Sequence, residues 1–347
     1  MNSQDQEIDG LLILPHLRVQ NANAISSPLT HGFPSMTAFL GLMWALERRL
    51  TTANIPLKLG KVGVICHWHQ EQTREGYVRT FHLTRNPVDK DGGTAAIVEE
   101  GRIHLDLTLV FQVRAVEQEG EVHLLFGSDE SRRREVAWMV RDLLGSMRIA
   151  GGTVLPPSPG PGVRITPTLI GWPDQETERQ ALFKRLRRQW LPGFTLVSRD
   201  GLLQQRLEQL RLQDSEATVL DAWLDLSRFN YRSVRDEKDR VVWSHDRPEG
   251  SGWIVPIPVG YAALSDLYAG GKVVNARDEN TPFRFVEGLY SIGQWIGPHR
   301  LQSVRDLLWW GESHENGLYR CCNGYEPPLL EDDAEYQLYP PMSAETL

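Results

Sequence analysis

The chain has 347 residues, 41% hydrophobic and 24% charged, with a formal net charge of −8, a balance that excludes collagen-like and wholly disordered chains. Three cysteines, two of them adjacent at Cys321 and Cys322, cannot build a disulfide framework. The longest apolar run, Ala38 to Leu46, is too short to span a bilayer, and the acidic start MNSQDQEIDG carries no secretory pattern, so a reducing, cytoplasmic setting is expected.

Leu11 to Val19 reads as a strand, with Pro15 marking an edge or a bulge. The stretch that follows, QNANAISSPLTHGFPS at 20–35, is neither apolar nor charged and reads as a long loop. Residues 35–50 predict a helix, because Met36, Phe39, Leu40, Met43, Leu46 and Leu50 recur at three- and four-residue spacing. Val62 to His69 reads as a second strand. Residues 103–113 alternate apolar and polar with near-strict period two, the pattern of a sheet with one buried face. Helical spacing returns at 129–147, with Ser128 and Asp129 as capping candidates, and RIAGG at 148–152 turns into a strand start at Thr153 to Leu155. The order β-α-β-β-α-β is that of a ferredoxin-like unit in an α+β chain.

The excursion at about 70–101 is long for a loop inside a compact domain. The Pro/Gly run at 156–162 reads as a seam, which gives a first domain at 11–175 and a second, mostly helical region at 176–325 packed on it. Within 179–211 eight Lys/Arg face only Asp200 and Glu208, whereas residues 1–10 and the tail at 326–347 are acidic without a base. A local basic surface can therefore serve an anion on an acidic protein, although exposed arginine is also what helix faces ordinarily carry. GWIVPIPVGY at 252–261 reads as extended but not as a central strand, and 283–310 as further helix rich in aromatics. Trp309 and Trp310 suit a partner surface and the chain's own core equally.

No phosphate-binding or hydrolase motif is present. CHWH at 66–69 places His67 and His69 on one strand face, yet zinc needs three or four ligands and no second motif supplies them, so no metal site is expected. With His82 and His104 these histidines suggest acid–base cleavage of RNA as an alternative activity. The polar side of 103–113 offers His104, Asp106, Thr108 and Gln112 without an aromatic, so base stacking on an open sheet is not expected and loops must carry recognition. The candidates are Asn21 and Asn23 for base edges, Ser26 and Ser27 for a phosphate, Arg85 with Asn86, Arg148 with Gly151 and Gly152, Arg199, and Asn275 with Arg277. Glycine lets the backbone approach a phosphate closely.

Eight strings in order, LPHLRVQNANAISSPLTHGFPS, LTRNP, TAAIVEEGR, RIAGG, LPGFTLVSR, GWIVPIPVGY, NARDENTPFRFVE and LQSVRDLLWW, span residues 14–310. Over about 11–320 the chain resembles the second Csy subunits of type I-F CRISPR–Cas surveillance complexes, a Cas-five-type branch of the repeat-associated RNA-binding superfamily. The resemblance implies an RNA-recognition-type fold with a thumb-like excursion. It implies a non-catalytic role without cofactor or membrane contact: pairing with the large Csy subunit, gripping the 5′ handle of the CRISPR RNA, touching the backbone subunit, and serving target DNA recognition indirectly. The alternative within the same superfamily is a metal-independent endoribonuclease acting on repeat RNA.

Overall fold

The computed structural model describes residues 8–85, 91–93, 97–116, 124–125, 129–160, 162–229, 231–236, 238–245, 247, 251–276 and 278–327, with backbone only at 83–85 and 97–99. β1 (Gly10–Asn23) runs past the expected end of the first strand and takes in the start of the opening stretch. The rest of that stretch folds as a small ribbon, β2 (Ile25–Ser27) and β3 (Thr30–His31). Helix α1 (Met36–Thr52) starts on Ser35, whose hydroxyl accepts the Thr37 amide and so satisfies one orphan donor. Its inward face is the one read from the spacing, all buried.

β4 (Leu57–Glu71) follows, then two short ribbons, β5 (Thr73–Arg74) with β6 (Thr80–Phe81) and β7 (Leu83–Arg85) with β8 (Ile97–Glu99). β9 (Arg102–Ala115) leads to α2 (Glu130–Gly145), capped by the Asp129 carboxylate on the Arg132 amide. Ser128, the other cap candidate, lies outside the described residues. β10 (Arg148–Ile149), β11 (Gly152–Val154) and β12 (Thr168–Gly171) return to the sheet. β11 and β12 both pair β1, β1 pairs β9, and β9 pairs β4, all antiparallel.

One face of this sheet is covered by α1 and α2, with Leu12, Leu14, Leu107 and Phe111 packed against Phe39, Met43 and Val140. The other face is half covered by α3 (Glu176–Gln189), whose Phe183 and Leu186 join Trp190 over Leu11, Ile13 and Val110. The uninterrupted run Leu11-Leu12-Ile13-Leu14 follows from this: a strand buried on both faces has no polar parity. Each fully buried Leu or Ile contributes roughly 1.5–3 kcal/mol.

The second half is less helical than its sequence suggests. After β13 (Phe194–Ser198) come α4 (Asp200–Arg211) and α5 (Val219–Ser227), a hairpin of β14 (Tyr231–Arg235) and β15 (Val241–His245), and the long strand β16 (Trp253–Ala263). The segment read as helix at 283–310 instead forms β17 (Val286–Ile296), a single 3-10 turn, the one-turn helix α6 (Val304–Leu307) and the start of β18 (Trp309–Ser313), which pairs β19 (Tyr319–Asn323). β17 lies between β13 and β16 and is paired on both edges.

β16 is also an interior strand, contrary to the reading of its prolines. Pro256 and Pro258 pair with β17 where the opposite edge is open, and the second ladder, to β19, begins only at Gly260. The missing proline N–H groups therefore fall on the unpaired edge. β4 pairs β13 at Ile65–Cys66 and β18 at Val62, so the strands β13-β17-β16-β19-β18 leave β4 and return to it. Trp309 and Trp310 seal this closure: both are buried, and the Trp309 indole donates to the Leu196 carbonyl at 2.9 Å. No helix among the described residues is long and apolar enough to cross a membrane.

Candidate nucleic-acid interface

The opening stretch is built largely to hold itself. A register shift between Val19 and Ala22 ejects Gln20 and Asn21 from the β1–β9 ladder. Asn21 takes a left-handed φ of 56° and its amide donates to His104 Nδ1 at 3.1 Å, a conformation asparagine tolerates better than most residues. Asn23 spends its side chain on Ile25, accepting its amide at 3.0 Å and donating to its carbonyl at 2.8 Å. The Ser26 and Ser27 hydroxyls bond Thr30 Oγ1 at 2.8 and 2.7 Å, and Ser27 also accepts the Leu29 and Thr30 amides. Asn23, Ser26 and Ser27 thus brace the β2–β3 ribbon through these local hydrogen bonds.

What the braced ribbon creates is a groove. An open cavity of about 620 Å³ lies between the outer face of α1, the turn joining β10 to β11, and Tyr261 and Tyr319 from β16 and β19. Asn23, Ser26, Arg148 and Gly151 all line it, so four of the sequence candidates converge there. On α1 the wall is Thr37, Ala38, Gly41, Trp44 and Ala45, and a Cβ at Gly41 would meet nothing, which leaves the floor low. Trp44 is 46% exposed and meets Tyr319 edge-on at 6.0 Å, while Tyr261 is 43% exposed.

The turn depends on positive φ at Ala150 (47°) and Gly151 (78°), and the Ala150 carbonyl accepts the Asn23 amide at 2.9 Å. Arg148 donates to the Gly151 carbonyl at 3.1 Å and is otherwise open to solvent. Gly152 has a packing role: a Cβ there would stand 2.7 Å from the Ala22 amide nitrogen and Val19 Cγ1. A cation beside two exposed rings over a small-residue floor can hold a phosphate and stack an unpaired base.

On the other side of the ribbon a second cleft, of about 450 Å³, is lined by Phe33, Phe194, Trp253 and Trp295, with His31 and Glu71 paired at 3.0 Å at its edge. The aromatic surface that β9 lacks is therefore supplied by α1 and by the strands of the second half. Cys66 also lines this cleft, and burial pushes its thiol up to about 12.

The remaining candidates stand elsewhere. Arg199 precedes α4 and donates to Gln294 Oε1, and Asn275 takes a φ of 61° in the 264–283 segment; neither lines the groove or the cleft. Arg85 is in β7 with its side chain undescribed, and Asn86 and Arg277 lie outside the described residues. His67 and His69 do not share a face. A bulge in β4 between Cys66 and Trp68 inserts His67 on the side of Thr108, whereas His69 stands opposite Leu105, on the side of the α1–α2 core.

These features define an α+β protein built on a curled antiparallel sheet, with a cationic, aromatic groove against its first helix. The comparisons specify which: the family model of the CRISPR-associated protein Cas_Csy2 matches residues 12–321. A curated relative, the CRISPR-associated protein Csy2 of Pseudomonas aeruginosa (strain UCBPP-PA14), is 44% identical over 327 residues, covering 90% of this chain and 94% of that protein. The chain belongs to the Csy2 family, the second Csy subunits of type I-F CRISPR surveillance complexes.

Proposed function

We propose that this chain is a non-catalytic, cytoplasmic subunit that holds the 5′ handle of the CRISPR RNA in the groove beside α1 and pairs with the large Csy subunit. The observation that carries this reading is the convergence of Arg148 and the 150–151 turn with Trp44, Tyr261 and Tyr319 around the braced opening stretch. Single-stranded RNA is held by phosphate contacts and by bases stacked on aromatic rings, and the groove offers both. The first half is a ferredoxin-like unit in this reading, supported by the sheet order β11/β12-β1-β9-β4 with both helices on one face.

Pairing with the large subunit is supported by the β14–β15 hairpin, whose strand residues are all exposed, Trp243 by 67%. A two-stranded ribbon of this kind is marginal alone in water, and its exposed Tyr231, Val242 and Trp243 suit burial against protein. The β5–β8 ribbons are, in this reading, the thumb-like element that reaches a neighbouring subunit or the RNA, and target DNA is served indirectly, through the guide. A non-catalytic role is supported by His67, both of whose ring nitrogens are engaged, by Thr108 Oγ1 and the Pro192 carbonyl, each at 2.7 Å. The test is direct binding: the complex assembled from this chain and the large subunit should hold handle RNA at least tenfold more tightly than a scrambled RNA of equal length. Equal affinity for both would overturn the reading.

A further inference from the structure

Two irregularities coincide on the sheet face away from α1 and α2. In β1 the register shifts between Leu14 and Leu17, so Pro15 and His16 together oppose Thr108. In β4 the bulge at His67 falls at the same level, on the other side of β9. Bulges re-aim side chains, and these two bring His16 and His67 into a stack with centroids 4.2 Å apart. His16 holds a φ of 48°, a strained backbone for a residue with a Cβ.

β9 fixes both rings from below. His67 donates from Nδ1 to the Pro192 carbonyl, so Nε2 accepts the Thr108 hydroxyl, and burial lowers its basicity. His16 Nδ1 faces Asp106 at 3.0 and 3.1 Å to the two carboxylate oxygens. The Asp106 contact commits Nδ1 as a donor and leaves Nε2 as the nitrogen of the pair with no partner among the described residues.

His16 forms part of the wall of a cavity of about 200 Å³. Arg164, Thr166 and Thr168 enter it from the segment leading into β12, and Arg185 and Gln189 from α3. Arg164 is held at the rim by a 3.1 Å hydrogen bond to Gln189 Oε1. Both guanidinium groups are exposed, and neither meets a carboxylate among the described residues. Asp106, which meets the cavity wall through His16, is paired with that histidine. Of the basic residues of α3, Arg185 is the one that lines the cavity, whereas Arg187 donates to the Leu301 carbonyl.

We propose that this cavity is a phosphate site, in which Arg164 and Arg185 supply the charge, the Thr166 hydroxyl donates a hydrogen bond, and His16, with a proton on each ring nitrogen in the bound state, donates from Nε2 to the same tetrahedral oxyanion while Nδ1 stays on Asp106. Guanidinium groups are donors only and phosphate oxygens acceptors only, which makes the match specific. The phosphate comes either from inorganic phosphate or from the RNA backbone. The RNA source rests on the handle-binding reading; the site itself does not.

The test uses the full chain and an Arg164→Ala/Arg185→Ala double variant, both with far-UV circular dichroism checked for an unchanged fold. Inorganic phosphate should raise the unfolding midpoint of the parent and broaden its own 31P resonance, with affinity at least tenfold weaker in the double variant. No phosphate binding by the parent, or equal binding by the variant, would overturn the site. A His16→Gln variant, which changes no arginine, should weaken phosphate at least threefold; undiminished binding would contradict the role given to its imidazole. Phosphate competing with handle RNA, together with weaker RNA binding by the double variant, identifies the RNA backbone as source. Arginine-dependent phosphate binding with unchanged handle affinity identifies the free anion. If handle RNA fails to bind while phosphate still depends on both arginines, the handle reading falls and the site stands.

Discussion

Replacing Trp44 by alanine separates stacking from charge in the groove. Trp44 is nearly half exposed, and the α1 core beneath it is made by Phe39, Leu40, Met43 and Leu46 without it. Its aromatic partner, Tyr319, meets it edge-on at 6.0 Å, so truncation forfeits about 0.5–1.5 kcal/mol of stability and leaves the fold intact. A base stacked on an aromatic ring contributes roughly 1–3 kcal/mol, and at about 1.4 kcal/mol per decade handle RNA should bind some fivefold to 150-fold more weakly. The ring carries no charge, so the dependence of log K on log salt should keep its slope. Arg148→Ala should do the reverse, lowering the slope by about 0.7 for a single strand. The assay is fluorescence anisotropy of labelled handle RNA on the assembled complex, between about 50 and 200 mM salt. Unchanged affinity in Trp44→Ala, or a lowered slope in that variant, would refute the stacking role.

Gly152→Ala should destabilise the chain by about 1–3 kcal/mol, because its Cβ would press on the Ala22 backbone at 2.7 Å; a urea midpoint equal to the parent's would contradict this. Trp243→Ala should leave stability within about 0.5 kcal/mol yet weaken pairing with the large subunit by about 2 kcal/mol or more, read by calorimetry; intact pairing would remove the hairpin from that interface. Burial pushes the Cys66 and Cys321 thiols from 9.0 up to about 12. The native state then keeps protons that the unfolded chain releases, so stability is full below pH 9 and falls above it, by up to about 1.4 kcal/mol per pH unit for each thiol. A Cys66→Ala/Cys321→Ala variant with the same alkaline fall in urea midpoint would refute that assignment.

The elements legible in the sequence are those whose apolar residues keep one period. α1 announces itself by helical spacing of its inner residues, and β9 by the alternation of Leu105, Leu107, Leu109, Phe111 and Val113 with His104, Asp106, Thr108 and Gln112. The expectation of a single buried face fails for β9, because Thr108, Val110 and Gln112 are also buried on the side that α3 covers. β17 does not announce itself: it is paired on both edges, and Leu289, Ile292 and Ile296 mimic helical spacing while Ser291 and Gln294 are buried beside them. The opening stretch was legible as a segment set apart, but its amides and hydroxyls serve local bonds to Ile25 and Thr30 that composition cannot foretell. The groove's rings come from positions 44, 261 and 319, which only the return of β16 and β19 toward α1 brings together. The histidines of CHWH were misread for a different reason: alternation along a strand fails at a bulge, and one inserted residue moved His67 to the far face.

The most direct measurement is photocrosslinking of the assembled complex with a reactive base at each handle position in turn, read by mass spectrometry. The account predicts adducts on Trp44, Tyr261 or Tyr319, confined to handle positions and lost in Trp44→Ala. Handle adducts that fall only on other subunits, or on this chain only outside the groove, would contradict it.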